Sequence, residues 1–115
     1  MSEVNILQEY KDVEVCCIDL KSRDNNVRVL AYYRLPYYTA TDEQYLDLSL
    51  QCFSCFISRT SSPVILMGDF NLPGVDWVHY SVPANPFYEK FIQFVYENGL
   101  LQFVSGLQDW KILLI

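Results

Sequence analysis

No stretch of this chain approaches the roughly 20 consecutive apolar residues that a membrane-spanning helix needs, and no basic-then-apolar segment of signal type opens it. A transmembrane or secreted protein is therefore not expected. Basic residues are few: 8 Lys+Arg stand against 14 Asp+Glu, for a net charge of −6. Phosphate backbones are neutralised by Lys and Arg, so this balance argues against nonspecific nucleic-acid binding through bulk charge. Any nucleic-acid chemistry has to come from a local site. Internal repeats, low-complexity tracts and interdomain linkers are also missing. What is present is the balance of a globular core, 51% apolar and 19% charged in 115 residues, enough for one domain at most.

The cysteines supply no framework either. Cys16 and Cys17 are adjacent, and Cys52 and Cys55 form a C-x-x-C inside a helical pattern, among Leu50, Phe53, Phe56 and Ile57. Zinc sites usually put such pairs on turns where two thiolates converge on one ion, so buried free thiols are the reading here. That usage fits a reducing, intracellular compartment.

Residues 13–20 (VEVCCIDL) and 27–33 (VRVLAYY) read as strands of a hairpin turned by Asp24, Asn25 and Asn26. Leu35 to Thr41 reads as loop. Thr41 and Gln44 have capping-box spacing and open a helix striped by Leu46, Leu50, Phe53 and Ile57, ended by Ser61-Ser62-Pro63. Val64 to Met67 is continuously apolar, as expected of a strand covered on both faces. After a loop through Pro73, Gly74 and Pro83, Asn85 caps a second helix with Pro86 at its first position and Asn98-Gly99 as its stop. Leu100 to Val104 reads as one more short strand. The order β-β-α-β-α-β indicates a layered α/β domain. The tail from Ser105 to Ile115 fits poorly, ending in Trp110, Ile112, Leu113, Leu114 and Ile115 with nothing after it to pack them, so the chain looks interrupted.

The segment that points to chemistry is Val64 to Trp77, VILMGDFNLPGVDW. An apolar strand delivers Asp69 at its carboxyl end, where open α/β sheets commonly hold ligands. Asn71 lies two residues on, and in extended chain residues i and i+2 point the same way, so a carboxylate and an amide converge. That pair suits a hard divalent cation and a phosphate, with Asp69 polarising a water and Asn71 donating to a phosphoryl oxygen. The competing reading is a plain turn, with Asp69 and Asn71 bonded to local backbone. A P-loop nucleotide hydrolase is excluded because no G-x-x-x-x-G-K-[ST] occurs. A calcineurin-like metallophosphoesterase needs further His and Asp ligands, and only His79 is available, as a loop or surface residue.

The longer string GDFNLPGVDW, preceded by its apolar strand, closely resembles the endonuclease/exonuclease/phosphatase superfamily, specifically the endonuclease domain of non-LTR (LINE-type) retrotransposons. Ala31-Tyr32-Tyr33-Arg34-Leu35-Pro36 is similar to that family's strand ending in Tyr-Arg-Pro-Pro, with Leu35 in place of the first proline. The similarity runs over about residues 12–104, through the Glu97-Asn98-Gly99-Leu100 turn. It implies a partial four-layer α/β sandwich of deoxyribonuclease I type, a mixed sheet with flanking helices. It implies metal-dependent nicking of DNA to leave a 3′-hydroxyl that primes reverse transcription, and a nuclear location for a working enzyme. By the resemblance, Asp69 positions or activates the attacking water near Mg²⁺ or Mn²⁺, and Asn71 holds the scissile phosphate or helps ligate the metal. Tyr33 points its hydroxyl at the phosphate, and Arg34 contacts backbone phosphate or forms a surface salt bridge. Asp76 and Trp77 fix the loop and pack it.

The family's early Asn and Glu metal strands and its late Ser-Asp-His motif have no counterpart here. Glu3, Glu9 and Glu14 come too close to Tyr33 to take that place, and residues 105–115 diverge. The expectation is a single truncated domain over 1–115, inactive by itself. The alternative is a non-enzymatic remnant of a decayed retroelement with at most a binding role, exposing apolar surface where the strands that pair with 13–20 and 100–104 are missing.

Overall fold

The computed structural model describes residues 2–34, 40–72, 74–102 and 110–114. Its strands are β1 (Ser2–Val4), β2 (Val15–Lys21), β3 (Asn26–Tyr33), β4 (Val64–Asp69), β5 (Leu101–Gln102) and β6 (Trp110–Leu114), with helices α1 (Ala40–Ser58) and α2 (Pro86–Asn98). All six strands form one mixed sheet in the order β1-β2-β3-β4-β6-β5. The expected hairpin is present: β2 and β3 pair antiparallel, and Ser22 N donates to Asn25 O (2.8 Å) in the turn. Among the described strands only β3 and β4 pair parallel, and α1 lies in the crossover that joins them.

Alternation along the central strands builds the core. Arg28, Leu30 and Tyr32 of β3 and Val64 and Leu66 of β4 are buried, while their intervening neighbours Val29, Ala31, Ile65 and Met67 are not. The buried set packs with Leu46, Leu50 and Phe53 of α1 and Phe91, Phe94 and Val95 of α2. Fully burying side chains of this size stabilises by about 1.5–3 kcal/mol each. Tyr32 ties the layers together: its ring meets Phe53 edge-on at 4.7 Å, and its hydroxyl donates to Ser49 Oγ (2.9 Å), which donates to Tyr45 O (2.8 Å). Burial pushes the Tyr32 phenol well above its ordinary pKa.

Several expectations are corrected. The 64–67 run extends to Asp69 and is covered by helices on one face, because both helices share the core on that side. The tail is not left unpaired: residues 110–114 form β6, inserted between β4 and β5, where Leu66 faces Leu113 and Leu101 faces Leu114 in register. Nor does the 13–20 strand lack a partner, since β1 pairs with it, Glu3 opposite Ile18. Helix α1 begins at Ala40, so Thr41 lies inside the helix; its capping contacts, and residues 35–39 of the expected loop, lie outside the described residues. The last expected strand is described at Leu101–Gln102, and its continuation over 103–104 is outside them.

Helix α2 follows its sequence signals closely. Asn85 Oδ1 accepts from Phe87 N (2.9 Å), Pro86 opens the first turn, and Gly99 closes the last with φ 63°, donating to Tyr96 O (3.2 Å). Cys17 and Cys52 are buried and their thiols are pushed up to about 11 and about 12, while Cys16 is exposed and Cys55 is half-buried rather than buried.

Candidate functional site

Parallel pairing brings the carboxyl ends of β3 and β4 to the same rim of the sheet, with Tyr33 opposite Asp69 in register. The close approach there requires glycine. Gly68 has φ 152°, and a Cβ on it would lie 1.9 Å from the Tyr32 carbonyl oxygen. Immediately beyond, Arg34 N donates to Asp69 O (2.9 Å), so the two chains stay joined past the last strand residues.

Asp69 is partly exposed. Its Oδ1 accepts from Asn71 N (3.1 Å), and among the described residues Oδ2 takes no hydrogen bond. Tyr33 is 42% exposed on the sheet face away from the helices, and its hydroxyl has no partner among the described residues. Glu14, on the far side of Tyr33, accepts from Tyr33 N through its backbone oxygen (3.2 Å). Glu14, Val15, Cys16, Ala31, Tyr32 and Tyr33 line a shallow depression of about 310 Å³. The hairpin thus sets a second acidic residue, Glu14, beside Tyr33. The sequence spacing had set Glu14 aside, and only the β2–β3 register could have found it.

Asn71 departs from the extended geometry expected of it. Its φ is 52°, a left-handed conformation that asparagine tolerates better than most residues. The i, i+2 argument therefore does not apply. The Asn71 side-chain amide donates back to Arg34 O, and the backbone N–H of Asn71 holds Asp69. The two polar residues are linked through a local turn rather than by parallel side chains, and neither is sealed inside.

Arg34 is the larger correction. It is 1% exposed, so it forms neither a surface salt bridge nor an open phosphate contact. Its Nε donates to Phe70 O (2.8 Å) and its Nη2 to Asn71 O (3.0 Å), with the guanidinium 5.5 Å from the centre of the Phe87 ring. A planar fork of fixed donors suits two successive carbonyls, which here are those of the turn after Asp69. Arg34 shapes the rim from below.

Downstream, Asp76 fixes its loop as expected. It exchanges backbone hydrogen bonds with Ser81 (2.8 and 3.0 Å), and its carboxylate accepts from Val78 N, His79 N and the His79 ring (2.8 Å). Those bonds hold the Asp76 carboxyl below its ordinary range, the His79 side-chain contact contributing most. Trp77 packs edge-on against Phe91 (6.1 Å). His79 lies exposed in this loop. Among the described residues no three of His, Cys, Asp and Glu gather as metal ligands. The rim brings Tyr33 and Asp69 opposite each other in register, and Asp69 Oδ2 takes no hydrogen bond among the described residues.

No protein-family model matches this sequence, and no curated protein does. Among solved structures, the chain is similar to the endonuclease domain of TRAS1, a telomere-specific non-LTR retrotransposon, with a TM-score of 0.57 and 14% identity. The match covers 87% of this chain and 49% of that one, so the chain spans about half the length of the structure it matches. At that identity the likeness is one of fold, an α/β architecture of the endonuclease type.

Proposed function

We propose that this chain is part of a metal-dependent phosphodiesterase that nicks DNA, of the retrotransposon endonuclease kind. The observation that carries the proposal is the rim where two parallel strands end together, with Tyr33 opposite Asp69 in register, Tyr33 exposed and Asp69 partly exposed. In this reading Asp69 orients the attacking water, and Tyr33 donates to a phosphoryl oxygen as charge builds on it. Asn71 and Arg34 are positioning residues: the Asn71 N–H fixes one oxygen of Asp69 and leaves the other free, and Arg34 holds the turn that presents both.

Mg²⁺ takes oxygen ligands and keeps several waters, so a single carboxylate does not make a complete centre. The described residues supply only part of a Mg²⁺ or Mn²⁺ centre, with Asp69 as its carboxylate, enough for weak binding and not for a complete site. The isolated chain is accordingly expected not to nick supercoiled plasmid with either ion. Nicking that Asp69→Ala abolishes would overturn the inactivity. The site itself is tested by Mn²⁺ titration followed by NMR. Paramagnetic broadening should centre on Tyr33, Asp69 and Asn71 at millimolar ion and be lost in Asp69→Ala. Broadening centred elsewhere sinks the assignment.

A second reading, a non-enzymatic remnant with a binding role, has one observation in its favour: the polar groups of Asn71 and Oδ1 of Asp69 are engaged in local bonds. It predicts slow amide exchange through β4 with no Mn²⁺ response at the rim.

A further inference from the structure

Between the N-terminal segment and the last turns of α1 lies a recess of about 250 Å³. Val4 and Leu7 of the segment and Cys52, Cys55 and Phe56 of the helix make most of its wall apolar. Arg28, Cys52 and Phe56 are buried while Asn5 and Arg59 are exposed, which sets the mouth at the latter pair. Two of the chain's 8 Lys+Arg residues line the recess and no carboxylate does, in a protein of net charge −6. Arg28 is already neutralised by Asp19 and satisfies Phe56 O in the last turn of α1. Arg59, just past the helix, forms no ion pair among the described residues. Tyr10, whose hydroxyl makes no hydrogen bond among them, lines the recess as well. The proposed nuclease chemistry uses none of this: Arg28 stands near the start of β3 and Tyr33 at its end. Val4, Asn5, Leu7 and Tyr10 also precede the stretch, from about residue 12, that resembles the endonuclease family.

We infer that this recess binds a small aromatic carboxylate, with the ring inward and the acid at the mouth. Size sets the scale: an apolar cavity of ~150 Å³ takes benzene, so the larger volume here has room for a ring and a short acid arm. Burying a charge costs far more than burying a ring, so the carboxylate stays at the exposed end, where the planar fork of Arg59 matches it with paired N–H donors. An aromatic body suits the inner wall better than an alkyl chain, since a guanidinium such as that of Arg28 attracts a ring face and Phe56 offers a second ring. The same two features reject other classes. An amine is repelled by the arginines, and a bare inorganic anion gains nothing from Val4, Leu7 and Phe56. The occupant also bridges two elements. β1 holds to β2 over only three residues, so a molecule touching Val4, Leu7 and Phe56 together adds contacts that fasten the segment to α1.

The test is titration of the full 115-residue chain with phenylacetate, followed by amide chemical shifts. Saturable shifts should centre on Val4, Leu7, Tyr10, Phe56 and Arg59, with a dissociation constant of about 1 mM or below, within what a ligand of about ten non-hydrogen atoms supports. Amide exchange in β1 should slow as the recess fills. Phenylacetamide keeps the shape without the charge and should bind about tenfold more weakly, and hexanoate keeps the charge without the ring and should bind severalfold more weakly. Phenethylamine and inorganic phosphate should leave these amides unmoved. Arg59→Gln, at an exposed position that the fold does not use, should weaken phenylacetate about tenfold, and Arg59→Lys should weaken it less. Shifts that do not saturate by about 20 mM, or that centre on another face, overturn the inference. Phenylacetamide or hexanoate binding as tightly as phenylacetate overturns it too, as does an unchanged dissociation constant in Arg59→Gln.

Discussion

The two ends of β3 each bury an arginine beneath the sheet, and they use it differently. At the start of the strand, Arg28 grips Asp19 with both Nε and Nη2 (2.8 and 3.0 Å) and donates Nη1 to Phe56 O (2.8 Å), satisfying a carbonyl in the last turn of α1. Beyond the other end, Arg34 spans two carbonyls of the turn after Asp69. The first end is closed on itself: a carboxylate with both oxygens engaged and a helix terminus anchored. The second end holds backbone and leaves a carboxylate oxygen and a phenol facing outward. The same residue type fastens the fold at one end and shapes an opening at the other.

Breaking the open end should have the largest effect. Gly68→Ala would drive a methyl into the Tyr32 carbonyl, and because that neighbour is backbone in a paired strand, it cannot swing aside. The loss is expected to exceed about 3 kcal/mol, read as a collapse of the urea midpoint with fast amide exchange through β3 and β4. Arg34→Met comes next. It keeps length and volume but removes both donors, at about 1–3 kcal/mol for each buried carbonyl left without one. Its signature is local: chemical-shift changes at Phe70 and Asn71, with the Arg28 end undisturbed.

The closed end should break with pH. The Arg28 hydrogen bonds hold the Asp19 carboxyl below its ordinary value. A depressed carboxylate stabilises fully above its unfolded pKa, near 3.9, and that contribution is lost as pH falls through the folded value. Stability should therefore decline below about pH 4, and Asp19→Asn should remove part of that slope while lowering stability at pH 7 by about 1–3 kcal/mol. Urea melts at pH 3 and pH 7 on both proteins check the sign. An unchanged slope in Asp19→Asn would mean that other carboxylates set the acid limb.

How far these features could be read in advance depends on how local their causes are. The cap at Asn85, the proline at position 86 and the stop at Gly99 are set by neighbouring backbone, and helix α2 appears where those residues put it. The hairpin and the strand into Asp69 were legible from alternation and from the apolar run. Strands β1 and β6 were not. Three residues at an edge carry no period, and the 110–114 segment looks orphaned until β4 supplies its partner, more than 40 residues earlier. At the site, Asp69 and Tyr33 sit at the rim where motif and strand ends set them. The roles of Arg34 and Asn71 turned on a left-handed φ and on carbonyls that no residue letter reveals.

The smallest expected effect is the one that sharpens the contrast most. Asp19 and Asp69 are both strand residues of one sheet and both accept hydrogen bonds, yet their oxygens have different tasks. Replacing Asp69 with Asn keeps an oxygen to accept from the Asn71 N–H, the one bond its side chain makes among the described residues, and removes only the charge. Asp69→Asn should therefore change stability by less than about 0.5 kcal/mol, the range of a surface substitution, whereas Asp19→Asn should not. That outcome would support the role proposed for Asp69 at the rim where the two strands end. A loss of 2 kcal/mol or more in Asp69→Asn would make that acid a structural fastener like Asp19 and dissolve the difference between the two ends.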